Sequence, residues 1–410
     1  MKNNPYVGPR PYERVDRQNF YGRKREARDL LSLIMAERVV LFYAPSGAGK
    51  TSLLNAQVIP ALEENDFTVL PATRVGSDMP PGIDSQDVEN IFVFSALMGL
   101  AGDKVPVETL TGHTLLSFLR QLFPEEKEDV DESPPILILD QFEEILTTHR
   151  ERWQDARGFF EQMREALRGM PSLGVVFSMR EDYVAGLDPY APLLPRRLRA
   201  RFRIERLERR GALEAVKKPA LNAGCFFDPG VAERLVDDLR RIRIARDHSQ
   251  SSSDQQSAVL GPFVEPVQLQ VVCNRLWENL PEQEDNAIQW EEVEEYGNVD
   301  RALTDFYENA LTQCVEETNV GERQLRYWFN EHLITSMQTR GLVLRGEHET
   351  NGLPNEAVDV LSKRHLIRAD VRAGARWYEL SHDRLVDPIL ASNVAWNVAR
   401  ETPLRTTAKR

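Results

Sequence analysis

Residues 39–56 read Val-Val-Leu-Phe-Tyr-Ala-Pro-Ser-Gly-Ala-Gly-Lys-Thr-Ser-Leu-Leu-Asn-Ala. Val39–Tyr43 is a continuous β-rich apolar run, the pattern of a strand covered on both faces. Small residues follow, which let backbone N–H groups wrap a phosphate, and the helix opening at Lys50 points its positive end at that anion. Strand, loop and helix together form a Walker A phosphate loop. Pro45, Ser46, Gly47, Ala48, Gly49 and Ser52 are its cradle, Lys50 bridges the β- and γ-phosphates, and the Thr51 hydroxyl ligates Mg²⁺. Ala44 replaces the first glycine of the pattern, which leaves the cradle unchanged. The plainer alternative, a glycine-rich turn with a surface lysine, does not account for both flanking elements.

Ile136-Leu137-Ile138-Leu139-Asp140 is a matching buried strand that ends in a carboxylate. Asp140 is expected to hold the magnesium through water and to face Thr51 across adjacent strands. Hydrolysis also needs a group that orients the attacking water. Position 141 is Gln, so no acid follows Asp140 directly. Glu143 and Glu144 return to the Asp140 side if a helical turn starts there. Two solvated carboxylates at a helix start are the bland reading. A phosphate loop without a nearby acid would bind but scarcely hydrolyse, so at least one of the pair is assigned a catalytic role. Gly174-Val175-Val176-Phe177-Ser178-Met179-Arg180 is a further buried strand. Its Arg180 either senses the γ-phosphate or pairs with Glu181 or Asp182.

The 410 residues provide for two to three domains at about 150 residues each. A hydrophobic share of 41% allows a large core, and the net charge of −13, from 51 basic and 64 acidic residues, argues against a basic nucleic-acid coat or a polybasic membrane binder. Cys225, Cys273 and Cys314 lie far apart. A disulfide framework and a thiolate zinc site are therefore unexpected, and a reducing cytoplasm is the natural setting. No signal peptide and no run of about 20 apolar residues is visible, so no membrane partner is expected.

Strands at Val39–Tyr43, Phe67–Pro71, Ile136–Leu139 and Gly174–Ser178 alternate with helical stretches, which predicts a parallel α/β layer. Glu125–Pro135 reads as an acidic exposed loop. Gly211–Asn222, Gly230–Arg243 and Pro266–Leu280 read as helices with no strands between them, interrupted by a polar, disordered stretch at Asp247–Ser257. Helices at Val299–Cys314, Arg323–Gln338 and Pro354–Lys363 precede strands at Leu366–Val371 and Arg376–Leu380. A turn at Arg372-Ala373-Gly374-Ala375 joins them, which suggests a winged helix. The division is a nucleotide-binding domain over 1–206, a helical domain over 207–288, a winged-helix domain over 289–400 and a tail over 401–410.

These segments together resemble the STAND class of P-loop ATPases, a relative of AAA+ proteins, and its prokaryotic novel STAND branch above all. Asn4–Tyr12 and Phe20-Tyr21-Gly22-Arg23-Lys24-Arg25-Glu26 are similar to that branch's opening and its hydrophobic-Gly-Arg motif. Leu139-Asp140-Gln141-Phe142-Glu143-Glu144-Ile145 resembles its Walker B, and Ser178-Met179-Arg180 its sensor arginine. Lys218-Pro219-Ala220, Glu265-Pro266-Val267-Gln268-Leu269 and Asn274-Arg275-Leu276-Trp277 resemble its helical lid. Tyr378-Glu379-Leu380-Ser381-His382-Asp383-Arg384-Leu385 resembles the end of its winged helix. The resemblance implies that Gly22 and Arg23 contact base and ribose and that Pro266 packs on the adenine. It also implies that His382 reaches the β-phosphate of ADP as a latch, and that Glu144 outranks Glu143 in hydrolysis.

Further expectations follow from it. The protein is a slow ATP hydrolase that ADP closes and ATP with Mg²⁺ opens into a homo-oligomer, in prokaryotic signalling or antiviral defence. Only 43 residues precede the phosphate loop and about 20 follow the last motif, too few for an effector domain. Sensor and effector are therefore expected on other polypeptides, or the chain is truncated. The competing class is an AAA+-like DNA-processing or initiator ATPase that uses its winged helix on DNA. Pro354–Arg364, acidic first and basic only at its end, disfavours groove reading. The one basic run, Arg196–Ile204, is read as a strand with paired arginines in preference to a phosphate-binding stretch. The remaining histidines show no metal spacing.

Overall fold

In the computed structural model, the described residues are 4–407 except 78, 81–82, 103–104, 124–132, 244–257, 282–285, 337, 339, 373–374 and 382. They form two compact units, Pro11–Leu207 and Glu208–Arg410 with Met1–Arg10.

The first unit is built on five parallel strands: β1 (Val39–Ala44), β2 (Thr68–Val69), β3 (Pro135–Leu139), β4 (Gly174–Arg180) and β5 (Arg201–Arg203). Their spatial order is β2-β3-β4-β1-β5. Each strand alternates its side chains between faces. Val40, Phe42, Ile136, Ile138 and Val176 point to one core, where α1 (Lys24–Ala36) brings Leu30 and Ile34 one helical turn apart. On the same side a helical run starts as α2 (Lys50–Leu53), widens through a π-turn at Leu54–Val58 and continues as α3 (Ile59–Glu64). The π-turn falls just before Pro60, which has no N–H to continue the ladder.

Leu41, Leu137, Leu139, Val175 and Phe177 point to the other core. There they meet α4 (Ile91–Ala101), α5 (Leu115–Leu122) and α7 (Asp155–Gly169), after the short α6 (Glu144–Thr147). Asn90 caps α4 by accepting from the Val93 N–H at 3.0 Å, and Thr114 with Ser117 makes a capping box on α5. Burial on both faces is why the strands read as unbroken apolar runs.

Three expectations change in this unit. The strand expected at Phe67–Pro71 has only two paired residues. The basic run is not one strand. Pro195–Leu198 is a 3₁₀ turn with Arg196 and Arg197 at positive φ, and β5 starts only at Arg201. Along β5, Arg201 and Arg203 are exposed while Phe202 packs against Phe42 at 6.3 Å, so one face is buried as expected. Finally, β1 and β3 are not adjacent, because β4 lies between them. The loop expected at 125–135 falls almost wholly outside the described residues.

The second unit contains α8 (Arg209–Asn222), α9 (Val231–Leu239), α10 (Pro266–Asn279), α11 (Trp290–Tyr296), α12 (Val299–Thr318), α13 (Glu322–Trp328), α14 (Asn355–Lys363) and α15 (Val386–Thr407). The helix expected over 230–243 ends at Leu239. Arg241–Arg243 instead pairs antiparallel with Ala258–Leu260, and Phe226–Phe227 pairs with Ala287–Ile288. Strands thus intervene where none was expected. The stretch 247–257 lies outside the described residues.

After α13 a π-turn ends at Leu333, short of the expected Gln338. A three-stranded sheet follows, of β6 (Val343–Leu344), β7 (Ile367–Arg372) and β8 (Ala375–Leu380) in the order β6-β8-β7, with the short pair Glu349–Thr350 and Leu353–Pro354 between β6 and β7 in sequence. Glu379 of β8 is buried between Arg368 and Arg340. Residues 4–10 belong to this unit and not to the first. Tyr6 donates to the Val216 carbonyl at 2.6 Å, and the Val7 N–H bonds Gln270 at 3.1 Å.

Phe142, two residues after the Asp140 carboxylate, is fully buried with Phe177 at 4.4 Å and Phe159 and Phe160 both at 5.8 Å. Phe142→Ala should cost about 3–5 kcal/mol by leaving a cavity among these rings. Urea unfolding followed by circular dichroism reads the loss as a lower midpoint.

Candidate functional site

The site lies at the C-terminal edge of the sheet, where β1 runs into the loop 45–49. Ala44 pairs with Arg180 as the last strand residue and is fully buried, so the pattern's missing glycine is not needed there. Gly47 and Gly49 have φ of +74° and +92°, a region that side chains rarely adopt. They bend the chain around Ala48, whose N–H bonds the Pro45 carbonyl at 3.2 Å. The helical run then begins, and its first-turn N–H groups have no partner within the helix.

Thr51 donates its hydroxyl to Asp140 Oδ2 at 2.7 Å. The intervening β4 does not prevent this, because Thr51 sits on the helix beyond the loop. Strand β4 itself contributes Ser178, whose Oγ donates to Asp140 Oδ1 at 2.6 Å. Sequence reasoning gave Ser178 no separate role. The available signal was a single hydroxyl in the apolar run Val175–Met179.

The two glutamates after Asp140 part company. Gln141 takes a positive φ of +51°, so no helical turn starts there; instead the chain turns sharply. Glu143 faces the β4 side, where Oε2 accepts from the Arg180 N–H at 3.1 Å. Burial pushes its carboxyl above the ordinary range, against the pull of the Lys50 charge. Burial likewise lowers the Lys50 ammonium, opposed by Glu143 and then Asp140. Lys50, Glu143 and Asp140 thus form one electrostatic group.

Glu144 faces the other way, toward the segment after β2. Arg74 donates to Oε1 and the Gly76 N–H to Oε2, the latter at 3.0 Å. A Cβ on Gly76 would stand 2.7 Å from the Glu144 Cβ, so only glycine lets that segment lie so close. Of the two acids, it is therefore Glu143 that joins the lysine and Glu144 that anchors a neighbouring segment.

Arg180 pairs with Asp182 at 2.9 Å and lies over the Tyr183 ring at 5.4 Å, which matches the pairing alternative. Ser52 Oγ accepts the Tyr12 N–H at 3.1 Å, so its side chain holds the chain before α1. Gly22 has φ +88°, and Arg23 is buried, with its guanidinium on the carbonyls of Ala48 and Glu205. Pro266 is the first residue of α10, in the second unit. His382 lies outside the described residues. Ser381 beside it has a buried Oγ with no hydrogen bond among the described residues, so it does not cap the following turn.

A sequence model described as Novel STAND NTPase 1 matches residues 5–389. The chain belongs to this family. No curated protein matches it significantly. Among solved structures it is similar to the Aeropyrum pernix ORC2 protein in ADPNP-ADP complexes, at 14% identity and a TM-score of 0.45, over 92% of this chain and 95% of that one. It is also similar to the Walker-type ATPase paby2304 of Pyrococcus abyssi, at 12% identity and a TM-score of 0.48, over 93% and 98%. Likenesses this distant bear neither on the second unit's arrangement nor on activity.

As a novel STAND NTPase, the chain calls for a nucleotide and Mg²⁺, and its donor set suits both. The loop presents backbone N–H groups at a helix start, and the hydroxyl and carboxylate oxygens of Thr51 and Asp140 are the hard ligands that Mg²⁺ takes. Among the described residues no group of three or more His, Cys, Asp or Glu could hold a metal. No described helix is long and apolar enough to cross a membrane.

Ser178 orients the Asp140 carboxylate from behind. Ser178→Ala should weaken the apparent Mg²⁺ affinity of the nucleotide complex roughly 10- to 100-fold. Binding of metal-free nucleotide should not change. Calorimetric titrations with Mg²⁺ and with EDTA separate the two.

Proposed function

We propose that this protein is an ATP-hydrolysing switch. ADP holds it in a closed state, and ATP with Mg²⁺ favours an open, oligomerising one, in prokaryotic signalling or defence. The observation that carries the nucleotide part is the 2.7 Å contact of Thr51 with Asp140 beside the loop 45–49. The switch behaviour rests on membership in the family.

In this reading the loop N–H groups and Lys50 hold the phosphates, and Thr51 with Asp140 holds the metal. Gly22 borders the base. Glu143 orients the attacking water and accepts its proton. It is the acid on the lysine side of the β3 turn, and burial keeps its carboxyl above the usual range, nearer the working pH. Arg180 would leave Asp182 to meet a γ-phosphate. In the second unit, α8–α10 serve as a lid that presents Pro266. Helices α12–α14 with the β7–β8 hairpin serve as a winged helix, with His382 as its latch. Sensor and effector functions reside in other protein domains.

Four outcomes test the reading. Lys50→Ala removes a charge-assisted contact and should cost roughly 2–4 kcal/mol of nucleotide affinity, read by calorimetry. Glu143→Gln should bind ATP normally but turn over on the order of 10²-fold more slowly in single-turnover assays, with Glu144→Gln much less affected. Wild-type hydrolysis should fall as pH drops, because the base must be deprotonated, with a midpoint above the usual ~4.3 of glutamate. The ATP-trapped Glu143→Gln protein should assemble with Mg²⁺-ATP and stay a monomer with ADP. Mass photometry finding one mass in both states would refute the switch.

A further inference from the structure

Arg23 stands at the start of α1, directly after Gly22, where the family resemblance implies a base or ribose contact. Its side chain is bonded within the protein. Nη2 donates to the Ala48 carbonyl at 3.0 Å and to the Glu205 carbonyl at 2.6 Å, and Nη1 donates to Glu26 at 2.8 Å. The residue is only 5% exposed. A buried guanidinium must have its donors satisfied, and these three acceptors fix its plane.

The Ala48 carbonyl is the informative partner. In a trans peptide unit the C=O and the next N–H point in opposite directions. Holding the Ala48 oxygen toward Arg23 therefore turns the Gly49 N–H away from Arg23, to the opposite side of the loop. Gly49, which has no side chain to restrict its φ, leaves this peptide unit free to rotate when nothing holds it. Nothing in the loop's own hydrogen bonds supplies that hold: the Ala48 N–H bonds Pro45, and the Gly49 carbonyl accepts from Leu53.

We infer that Arg23 is a positioning residue for the phosphate cradle: it clamps the Ala48–Gly49 peptide unit so that the Gly49 N–H faces the phosphates. The same nitrogen also ties this peptide to Glu205, just beyond β5, so the loop is braced against the sheet edge. The inference rests on reading residues 45–51 as the phosphate loop. It departs from a base contact in what it predicts for ligands that have no base.

The test compares Mg²⁺-ATP, Mg²⁺-GTP and inorganic tripolyphosphate by calorimetry on the full chain. Arg23→Gln should weaken all three by the same factor, roughly 10- to 100-fold, with the ATP-to-GTP ratio unchanged. Arg23→Lys keeps the charge but lacks the planar fork that reaches Glu26 and the two carbonyls together, so it should fall in between. Glu26→Gln, which loosens the guanidinium without removing it, should show a smaller loss of the same uniform kind. These two variants decide the matter if Arg23→Gln does not fold, with thermal unfolding of the nucleotide-free proteins as the control.

Unchanged tripolyphosphate binding with a shifted ATP-to-GTP ratio would make Arg23 a base contact and overturn the inference. Unchanged affinity for all three ligands would overturn it as well. Lys50→Ala is run in parallel: if it too leaves tripolyphosphate binding intact, the phosphate-loop reading itself fails. If only Lys50→Ala weakens it, the loop stands and Arg23 has no part in it.

Discussion

The Asp140 carboxylate is where the first unit is tied together. One oxygen accepts from Thr51, on the helix after β1, and the other from Ser178, on β4. Its own N–H bonds the Thr73 carbonyl at 2.9 Å, in the segment beyond β2. Three other chain segments therefore converge on one residue at the end of β3. Hydrogen bonds to a charged acceptor are about twice as strong as neutral ones. A buried carboxylate that lost them would bear its desolvation cost uncompensated. The convergence thus fixes both carboxylate oxygens of Asp140 and the register of the sheet edge together.

That geometry separates the acids that follow. Because β3 lies between β2 and β4, a sharp turn after Asp140 can send one carboxylate to each side. Gln141 at positive φ makes the turn, and the buried Phe142 pins it into the aromatic cluster. Glu143 then falls on the side of β4 and the phosphate loop. Glu144 falls on the side of Arg74 and Gly76. Adjacent residues with the same chemistry so acquire different tasks, one electrostatic toward Lys50 and one structural.

The phosphate loop shows the same division between strand edge and support. Its glycines supply freedom and Arg23 removes it, from beneath and through a carbonyl. Ser52 Oγ, one residue after Thr51, is spent on the Tyr12 N–H, so the helix start also secures the entering chain. The arginines of β5 are occupied likewise: Arg203 bonds Glu181 at 2.8 Å as well as Glu205, and Arg201 lies 3.6 Å from Asp188.

Much of the first unit was legible from local pattern alone. Apolar runs at 39–43, 136–139 and 174–178 announced strands buried on both faces, and the small residues of 45–49 announced a tight turn into a helix, because each depends on residues close in sequence. Helices α8, α10, α12 and α14 were legible from their own periodicity. Strand order was not, since nothing in a run of valines says which neighbour it takes; so β4 slipped unseen between β1 and β3. Nor was the fate of Glu143 and Glu144, which hangs on one backbone φ at Gln141 and on partners as distant in sequence as Arg74 and Arg180. The short strands of the second unit were hidden for the same reason, since two or three residues gain strand character only from a partner. Sequence by itself determined which residues could meet a phosphate and a metal, because that chemistry is carried by residue type and spacing. Tertiary structure alone decided what Arg23, Ser52, Ser178 and Glu144 touch, because a hydrogen bond is made by whichever groups the packed strands and helices bring within 3 Å.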